Sequence, residues 1–313
     1  MTQNVAASVH QRLLNLARAK QRPFNELLQY YALERFLYRL GRSPYREQLV
    51  LKGALMFTVW EAPFPRPTRD IDLLGRLDNA LEHIVTVVRE ICNQPVTADG
   101  LRFAAETVSA ERIIQAADYE GVRVRFTAYL GSARIPMQID VGFGDPVVPG
   151  IVPIRIPPLL EFPAPEMQGY SRESAIAEKL QSMVRLGEVN SRMKDFFDIW
   201  LLANRYPFEG GALGQAIRET FQQRRTQLIT HPVAFGETFA QNPDKQVQWA
   251  AFLRRYHLSQ EAAIPRTLST VTALIAAFLQ PVLEALVGGE AFNQHWQPGG
   301  PWIKEAATEE REI

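Results

Sequence analysis

The chain of 313 residues contains a single cysteine, Cys92, and five histidines in unrelated contexts. A lone cysteine excludes an intramolecular disulfide and a cysteine-based zinc site, and the histidines show no metal-ligand spacing. No glycine-rich loop with the P-loop lysine spacing is present, and no Ser-His-Asp arrangement is recognisable. These absences argue against a P-loop kinase or NTPase and against zinc held by cysteine.

The sequence also shows little sign of a membrane segment or of export. Its longest apolar run, residues 270–287, is interrupted by Gln280, Pro281 and Glu284, and the amino terminus lacks a basic-then-apolar secretory pattern. We therefore expect a cytoplasmic protein without a membrane span. The formal net charge is +0, so any contact with nucleic acid must come from local basic patches rather than from the field of the whole molecule.

Two short segments predict a metal-nucleotide site. A glycine turn, Lys52-Gly53-Ala54, is followed by the run Arg69-Asp70-Ile71-Asp72-Leu73. In an extended strand alternate side chains share a face, so the two aspartates would project together while the aliphatic residues enter the core. Carboxylates paired in this way suit Mg²⁺, which proteins usually hold by one or two carboxylates plus substrate phosphates. A solvated strand end is the simpler alternative.

A second alternating segment, residues 137–143, carries one acid, Asp140, on its otherwise uncharged face. Beside the first strand, Asp140 would complete a cluster of three carboxylates that two Mg²⁺ ions could neutralise. The alternative is an acid that accepts backbone N–H groups at a hairpin edge. The strand predicted at residues 122–130 carries Arg123 and Arg125 on one face. These arginines either line the cleft or, as is more common for antiparallel sheets, lie on a solvent-exposed face.

The organisation predicted from the sequence is α+β. Helical spacing covers residues 5–40, a helix follows at residues 78–92, and strands are predicted at residues 101–108, 122–130 and 135–143. The proline-rich segment at residues 147–165 reads as a connector, after which the chain is helical almost to residue 287. We therefore expect N-terminal helices at 1–44 that pack on a core at 45–165, and a helical carboxyl-terminal domain at 166–313.

Several motifs together resemble the AbiEii/AbiGii nucleotidyltransferase toxins of type IV toxin–antitoxin and abortive-infection systems, over residues 37–302. The motifs are Lys52-Gly53, Arg66-Pro67-Thr68-Arg69-Asp70-Ile71-Asp72, Ile139-Asp140-Val141-Gly142-Phe143-Gly144-Asp145, Glu178-Lys179-Leu180 and Arg192-Met193-Lys194-Asp195-Phe196-Phe197-Asp198. The resemblance implies a DNA polymerase β-like nucleotidyltransferase core, a mixed sheet with helices, followed by a helical domain. It implies a nucleotidyltransferase that uses an NTP and two Mg²⁺ ions, with Mn²⁺ as an alternative.

The resemblance also assigns residues. The metal ligands fall on Asp70, Asp72 and Asp140, and the distal basic and acidic catalytic residues on Lys179 and Asp195. By pattern alone, Lys179 is a snorkelling lysine and Asp195 an ordinary first-turn acid. The nucleotide would contact a further set of residues: Lys52, Gly53, Ala54, Arg69 and Lys179.

Ala54 departs from the serine or glycine that often follows the motif glycine, which removes a hydroxyl from the expected phosphate site. The acceptor implied by the resemblance is RNA, foremost the 3′ end of tRNA, with arrest of translation and a cognate antitoxin as partner. Two alternatives stay open: transfer to a protein or small-molecule hydroxyl, and a non-catalytic nucleotide-binding or partner-binding remnant.

Overall fold

The protein is described here from a computed structural model, which covers residues 4–61, 68–115 and 119–304. The chain divides into two compact units, one of residues 1–145 and 151–170 and the other of residues 146–150 and 171–313. The expected loop at residues 63–67, with Arg66 and Pro67 of the motif, lies outside the described residues.

The first unit is built on a mixed seven-stranded sheet in the order β3-β4-β5-β2-β1-β7-β6. Strands β2 and β5 run parallel, as do β1 and β7, and the other neighbouring pairs are antiparallel. The strands are β1 Leu49–Lys52, β2 Ile71–Gly75, β3 Leu101–Gln115, β4 Tyr119–Leu130, β5 Ala133–Phe143, β6 Val152–Arg155 and β7 Glu166–Gly169.

The helices of the first unit are α1 Val5–Ala19, α2 Phe24–Arg42, α3 Met56–Val59 and α4 Leu81–Cys92. Helix α2 is the central one, and it is buried on nearly every side along its second half. The alternation predicted for β4 is confirmed, because its apolar positions Val122, Val124, Phe126 and Ala128 are at most 4 % exposed.

The boundary expected after residue 165 lies five residues too early. Residues Glu166–Gly169 form β7, which pairs with both β1 and β6 and so belongs to the sheet of the first unit. The second unit begins at Ser171, whose side chain caps the first helix by accepting a hydrogen bond from the backbone N–H of Ser174. Residues 146–150 belong to this unit because Val148 hydrogen-bonds to Ser171 and Ser174.

The second unit is helical, with a small three-stranded sheet. Its helices are α5 Arg172–Leu186, α6 Met193–Arg205, α7 Gly210–Gln223, α8 Glu237–Gln241, α9 Pro243–Arg255 and α10 Leu268–Gly288, and its strands are β8 Phe208–Glu209, β9 Gln294–Trp296 and β10 Trp302–Lys304. The α+β class predicted from the sequence is confirmed.

Helix α10 is long and apolar enough to cross a membrane by length and composition alone. A core helix of a globular protein meets the same criterion. Here α10 buries Val271, Ile275, Phe278 and Leu279 within the second unit. Its composition is therefore weak evidence for a membrane span.

Candidate active site

A row of charged residues crosses the sheet of the first unit, one from each of five neighbouring strands. Residues that are register partners on adjacent strands project to the same face, so the members of the row lie side by side. In order from β3 to β1 they are Glu111, Arg123, Asp140, Asp72 and Lys52. Two aspartates thus occupy the centre of the row, with a basic residue on either side.

Asp72 and Asp140 are direct register partners on the parallel strands β2 and β5. Neighbouring strands lie roughly 4.8 Å apart, so two carboxylates at this spacing repel each other unless a cation lies close by. Asp140 is 6 % exposed, whereas Asp72 is half-buried. The adjacency expected of these two acids from the sequence is present in the sheet.

Gly53 lies directly against Asp72. Its backbone has a φ of 72°, and a Cβ added at this position would be 2.0 Å from Oδ2 of Asp72. Both observations require glycine, because the left-handed backbone disfavours other residues and a side chain would displace the carboxylate. The turn Gly53–Leu55 that follows β1 therefore closes over the aspartate, with Ala54 buried inside it.

Asp70 lies in the bend before β2, which begins at Ile71. We expected both aspartates of the motif to belong to one strand, and this prediction is wrong for Asp70. Thr68 donates a hydrogen bond of 2.5 Å from Oγ1 to Oδ1 of Asp70. The side-chain amide of Gln29, on α2, donates to the carbonyl oxygen of Arg69 at 3.4 Å and to that of Pro136 at 3.0 Å. Helix α2 thereby fixes the start of β2 beside β5, while the Arg69 side chain is exposed.

Arg123 binds Asp140 through two hydrogen bonds. Its Nε donates to Oδ1 at 2.8 Å and its Nη2 to Oδ2 at 2.6 Å, which is the bidentate geometry that guanidinium and carboxylate groups favour. The hydrogen bond to Asp140 is the main cause that raises the pKa of Arg123, and the negative charges of Asp140, Glu111 and Asp70 add to it, against an opposing effect of burial. Arg123 thus lies in the field of two of the three acids expected to bind metal.

At the other end of the row, the ammonium group of Lys52 is 3.2 Å from Oδ2 of Asp145. Both side chains are buried, at 7 % and 1 % exposure, and the Lys52 ammonium also lies 5.6 Å from the ring centre of Tyr170. A buried charge is retained at low cost only when it is paired. Lys52 therefore neutralises Asp145 in this arrangement, and its expected contact with a nucleotide stays a prediction.

The second unit holds the distal residues Lys179 and Asp195 in an ion cluster. Nζ of Lys179, on α5, is 2.7 Å from Oδ2 of Asp198 and 3.4 Å from Oδ1 of Asp195, both on α6. Arg192 donates from Nε to Oδ2 of Asp195 at 2.6 Å. The two acids are almost fully buried and the lysine is 13 % exposed. Lys179 therefore does more than cover apolar surface with its stem.

The donor set of the sheet suits a hard divalent ion, because two adjacent carboxylates plus substrate phosphates can satisfy Mg²⁺. Among residues 4–61, 68–115 and 119–304, however, no three acidic, histidine or cysteine side chains lie close enough together to hold a metal ion. The expected three-carboxylate cluster is thus not assembled in this conformation. In this conformation Asp140 is bound to Arg123, and Asp70 accepts a hydrogen bond from Thr68.

Three residues that pair with the candidate site residues were not assigned to the site from the sequence. Arg123, Asp145 and Asp198 are the ion-pair partners of Asp140, Lys52 and Lys179. Patterns in the sequence indicate two of them, since Arg123 alternates with core residues in its strand and Asp198 follows Asp195 by three positions on one helix. Their partners could not be read from the sequence, because the register between strands and the packing of helices decide them.

Comparison with known protein families shows the family to which the chain belongs. The model of the AbiEii nucleotidyltransferase toxins of type IV toxin–antitoxin systems matches residues 35–277. The chain belongs to that family. The matched range contains both aspartates of the sheet row and the Lys179 cluster, and it makes the protein a nucleotidyltransferase with an NTP substrate and a cognate antitoxin.

Two solved structures from Helicobacter pylori are similar to this member of the AbiEii family. One, described as a candidate nucleotidyltransferase, is 15% identical with a TM-score of 0.45, and the alignment covers 80% of this chain and 93% of that one. The other, JHP933, is 15% identical with a TM-score of 0.43, with coverage of 82% and 92%. No curated protein sequence matches the chain.

Proposed function

We propose that this AbiEii-family protein is a cytoplasmic, metal-dependent toxin that transfers a nucleoside monophosphate from an NTP to RNA. The preferred acceptor is the 3′ end of tRNA, whose modification would block translation. The observation that carries the metal dependence is the register pairing of Asp72 with Asp140, covered by a glycine that leaves room for the Asp72 carboxylate. RNA as the acceptor rests on the family resemblance.

Asp72 and Asp140, with Asp70 as a third oxygen donor, would hold the divalent ion, for which Mg²⁺ or Mn²⁺ are suitable. When bound, such an ion supplies positive charge that stabilises the departing pyrophosphate and lowers the pKa of the attacking hydroxyl. In the transfer, a bond forms between the acceptor hydroxyl oxygen and the α-phosphorus. The bond from the α-phosphorus to the pyrophosphate oxygen breaks, and the hydroxyl proton passes to solvent.

The remaining residues bind and orient the substrate. The backbone of the turn at Gly53 and Ala54 offers N–H groups for phosphate oxygens, which compensates for the missing hydroxyl at position 54. Arg69 is exposed and next to Asp70, so its guanidinium is available as a phosphate ligand. Lys179 would neutralise phosphate charge, with Asp195 as the residue that positions it.

The decisive experiment compares the parent protein with Asp72→Ala, using each of the four NTPs labelled at the α-phosphate and total cellular RNA. We expect the variant to fold and to transfer no label, because the carboxylate beside Asp140 is gone. Asp78→Ala is the matched control, since Asp78 is an exposed acid of the same unit outside the row. A folded Asp72→Ala variant that labels RNA as well as the parent would remove the proposal.

The same reactions separate the alternative acceptors. Fractionating the products shows whether the label enters tRNA, protein or a small molecule such as an aminoglycoside. Label confined to protein or to small molecules would replace RNA as the acceptor while leaving nucleotidyl transfer in place. Growth arrest on expression that Asp72→Ala relieves would support the toxin activity, and arrest that persists with this variant would contradict it.

A further inference from the structure

The pairing of Asp140 with Arg123 has a consequence for metal binding. A carboxylate oxygen has two lone pairs that can accept. Oδ1 of Asp140 accepts from Nε of Arg123 at 2.8 Å and from Nε2 of Gln138 at 3.3 Å, so both of its positions are used. Oδ2 accepts from Nη2 of Arg123 at 2.6 Å. A metal ion that binds Asp140 through Oδ1 must therefore displace a donor.

Burial adds to this competition. The Asp140 side chain is only 8 % exposed, whereas Arg123 is 30 % exposed. The guanidinium therefore has solvent on one side and can leave the carboxylate more easily than the carboxylate can turn away. Asp72 stands next to Asp140 in the sheet, and Arg123 is the positive charge that β4 places beside this pair of acids.

From this geometry we infer that Arg123 is the built-in counter-ion of Asp140 and competes with the divalent ion for it. This inference rests on the proposed function, in which Asp140 is a metal ligand. Arg123 thus sets how tightly the protein binds a divalent ion before the nucleotide arrives. It is a positioning residue, because it acts on the metal ligand and not on the reacting atoms.

The test is direct binding of Mn²⁺ to the full-length protein without nucleotide, measured by electron paramagnetic resonance. We expect Arg123→Gln to bind Mn²⁺ about tenfold more tightly than the parent, since it frees the carboxylate and removes a repelling charge. The freed carboxylate and the lost positive charge both raise the affinity for Mn²⁺, so the expected increase does not depend on which effect is larger. In the Asp140→Asn background only the loss of the repelling charge remains, so the same substitution should tighten binding by no more than about threefold.

Arg125→Gln is the matched control. Arg125 lies two residues along the same strand, loses the same charge when substituted, and pairs with Glu111 at 2.6 Å rather than with Asp140. Its side chain is 51 % exposed, so solvent screens its effect on the metal. We expect its Mn²⁺ affinity to stay within about twofold of the parent.

Arg123→Lys covers the case in which Arg123→Gln does not fold. Lysine keeps the charge but cannot make the bidentate contact, so we expect an increase in Mn²⁺ affinity of about threefold. If the parent binds Mn²⁺ and the folded Arg123 variants bind it no more tightly, the competition is refuted while the proposed function stands. If neither the parent nor any variant binds Mn²⁺ without nucleotide, the competition is overturned, while the metal-dependent mechanism is decided separately by the labelling reactions with Asp72→Ala.

Discussion

At the scale of single residues, the contact between Gly53 and Asp72 is the tightest constraint on the site. The sequence motif predicts a turn next to an acid, and the structure adds that the glycine is required twice, by its positive φ and by the space that Asp72 occupies. The role of this glycine is therefore to let the backbone approach the carboxylate.

Gly53→Ala should abolish nucleotidyl transfer. The added methyl group would overlap Oδ2 of Asp72, and a left-handed conformation costs an alanine about 1–2 kcal/mol. We expect a loss of stability of about 2–3 kcal/mol in urea unfolding, together with at least about a hundredfold loss of kcat, because misplaced catalytic groups reduce rates by such factors.

Gly131→Ala is the control for this prediction. Gly131 also has a positive φ, of 59°, but a Cβ there would meet no atom within 4 Å. We expect it to lose about 1 kcal/mol of stability with full activity. If both alanine variants keep their activity, the steric role of Gly53 is wrong.

The residue scale also shows what the sequence could and could not supply. Asp72 and Asp140 could be predicted because alternation places each on one face of its strand, and a parallel pairing brought them side by side. The pairing of Asp140 with Arg123 could not be assigned, since ion pairing across strands depends on register. The bend at Asp70 was missed because a strand begins where hydrogen bonding starts, which the side-chain pattern does not show.

At the scale of elements, helix α2 holds a buried acid that makes stability depend on pH. Glu34 is 2 % exposed, and its Oε2 accepts a hydrogen bond of 2.6 Å from the backbone N–H of Leu159. Arg35 lies 2.9 Å from its Oε1. Burial raises the pKa of Glu34 to about 7, although the charge of Arg35 and the Leu159 hydrogen bond lower it.

The parent protein should lose stability as the pH rises from about 4.5 to above 7. In this window folded Glu34 keeps a proton that the unfolded chain has released, so the free energy of unfolding falls with pH. The pKa difference corresponds to about 3 kcal/mol. Glu34→Gln keeps an acceptor for the Leu159 N–H but cannot ionise. Its free energy of unfolding in urea should therefore not show this decline between pH 5 and pH 8.

The exposed acid Glu82, at the start of α4, provides the comparison. Glu82→Gln should leave the pH dependence of the parent unchanged, because its side chain is solvated in both the folded and the unfolded state. If the free energy of unfolding changes with pH equally in the parent and in Glu34→Gln, Arg35 keeps Glu34 ionised in the folded protein.

A second prediction at this scale concerns the contact between α5 and α6. Asp198 is fully buried and is the closer of the two acids to the Lys179 ammonium, at 2.7 Å against 3.4 Å for Asp195. Removing one partner of a buried pair leaves the other poorly compensated. Asp198→Asn should therefore destabilise the protein by about 3 kcal/mol in urea unfolding.

Asp244→Asn is the control, because Asp244 is exposed in the first turn of α9. It should change stability by less than about 0.5 kcal/mol. An equally small effect of Asp198→Asn would mean that the remaining contacts of Lys179, including the one with Asp195, compensate its charge.

Elements of strong periodicity were the most predictable. The helix expected at residues 78–92 begins at Leu81, and strands β3, β4 and β5 occur at the expected places, although β3 continues to Gln115. Strand β7 was missed because it has four residues and buries only Met167 and Gly169, which is too short for a pattern. Its pairing with β1 depends on residues more than a hundred positions away.

At the scale of the whole molecule, the formal net charge of +0 restricts how RNA can bind. The candidates for a contact with RNA are five arginines of the second unit that do not share one environment: Arg218, Arg224, Arg225, Arg254 and Arg255. Arg224 is largely buried and lies 3.3 Å from Glu178, so it is engaged within the second unit. The exposed members of the set are Arg218, Arg225, Arg254 and Arg255.

Arg254 and Arg255 end helix α9 as an adjacent exposed pair and form the best candidate for a local RNA contact. The double variant Arg254→Glu and Arg255→Glu should raise KM for acceptor RNA by at least about tenfold, since phosphate contacts dominate nucleic-acid affinity, and should leave KM for NTP unchanged. The salt dependence of RNA binding should also become shallower, by about one unit of slope per lost contact. Arg155→Glu, at an exposed position on the edge strand β6, makes half of that charge change elsewhere and should leave both KM values as they are. If the double variant and this control behave alike, the carboxyl end of α9 does not touch the acceptor.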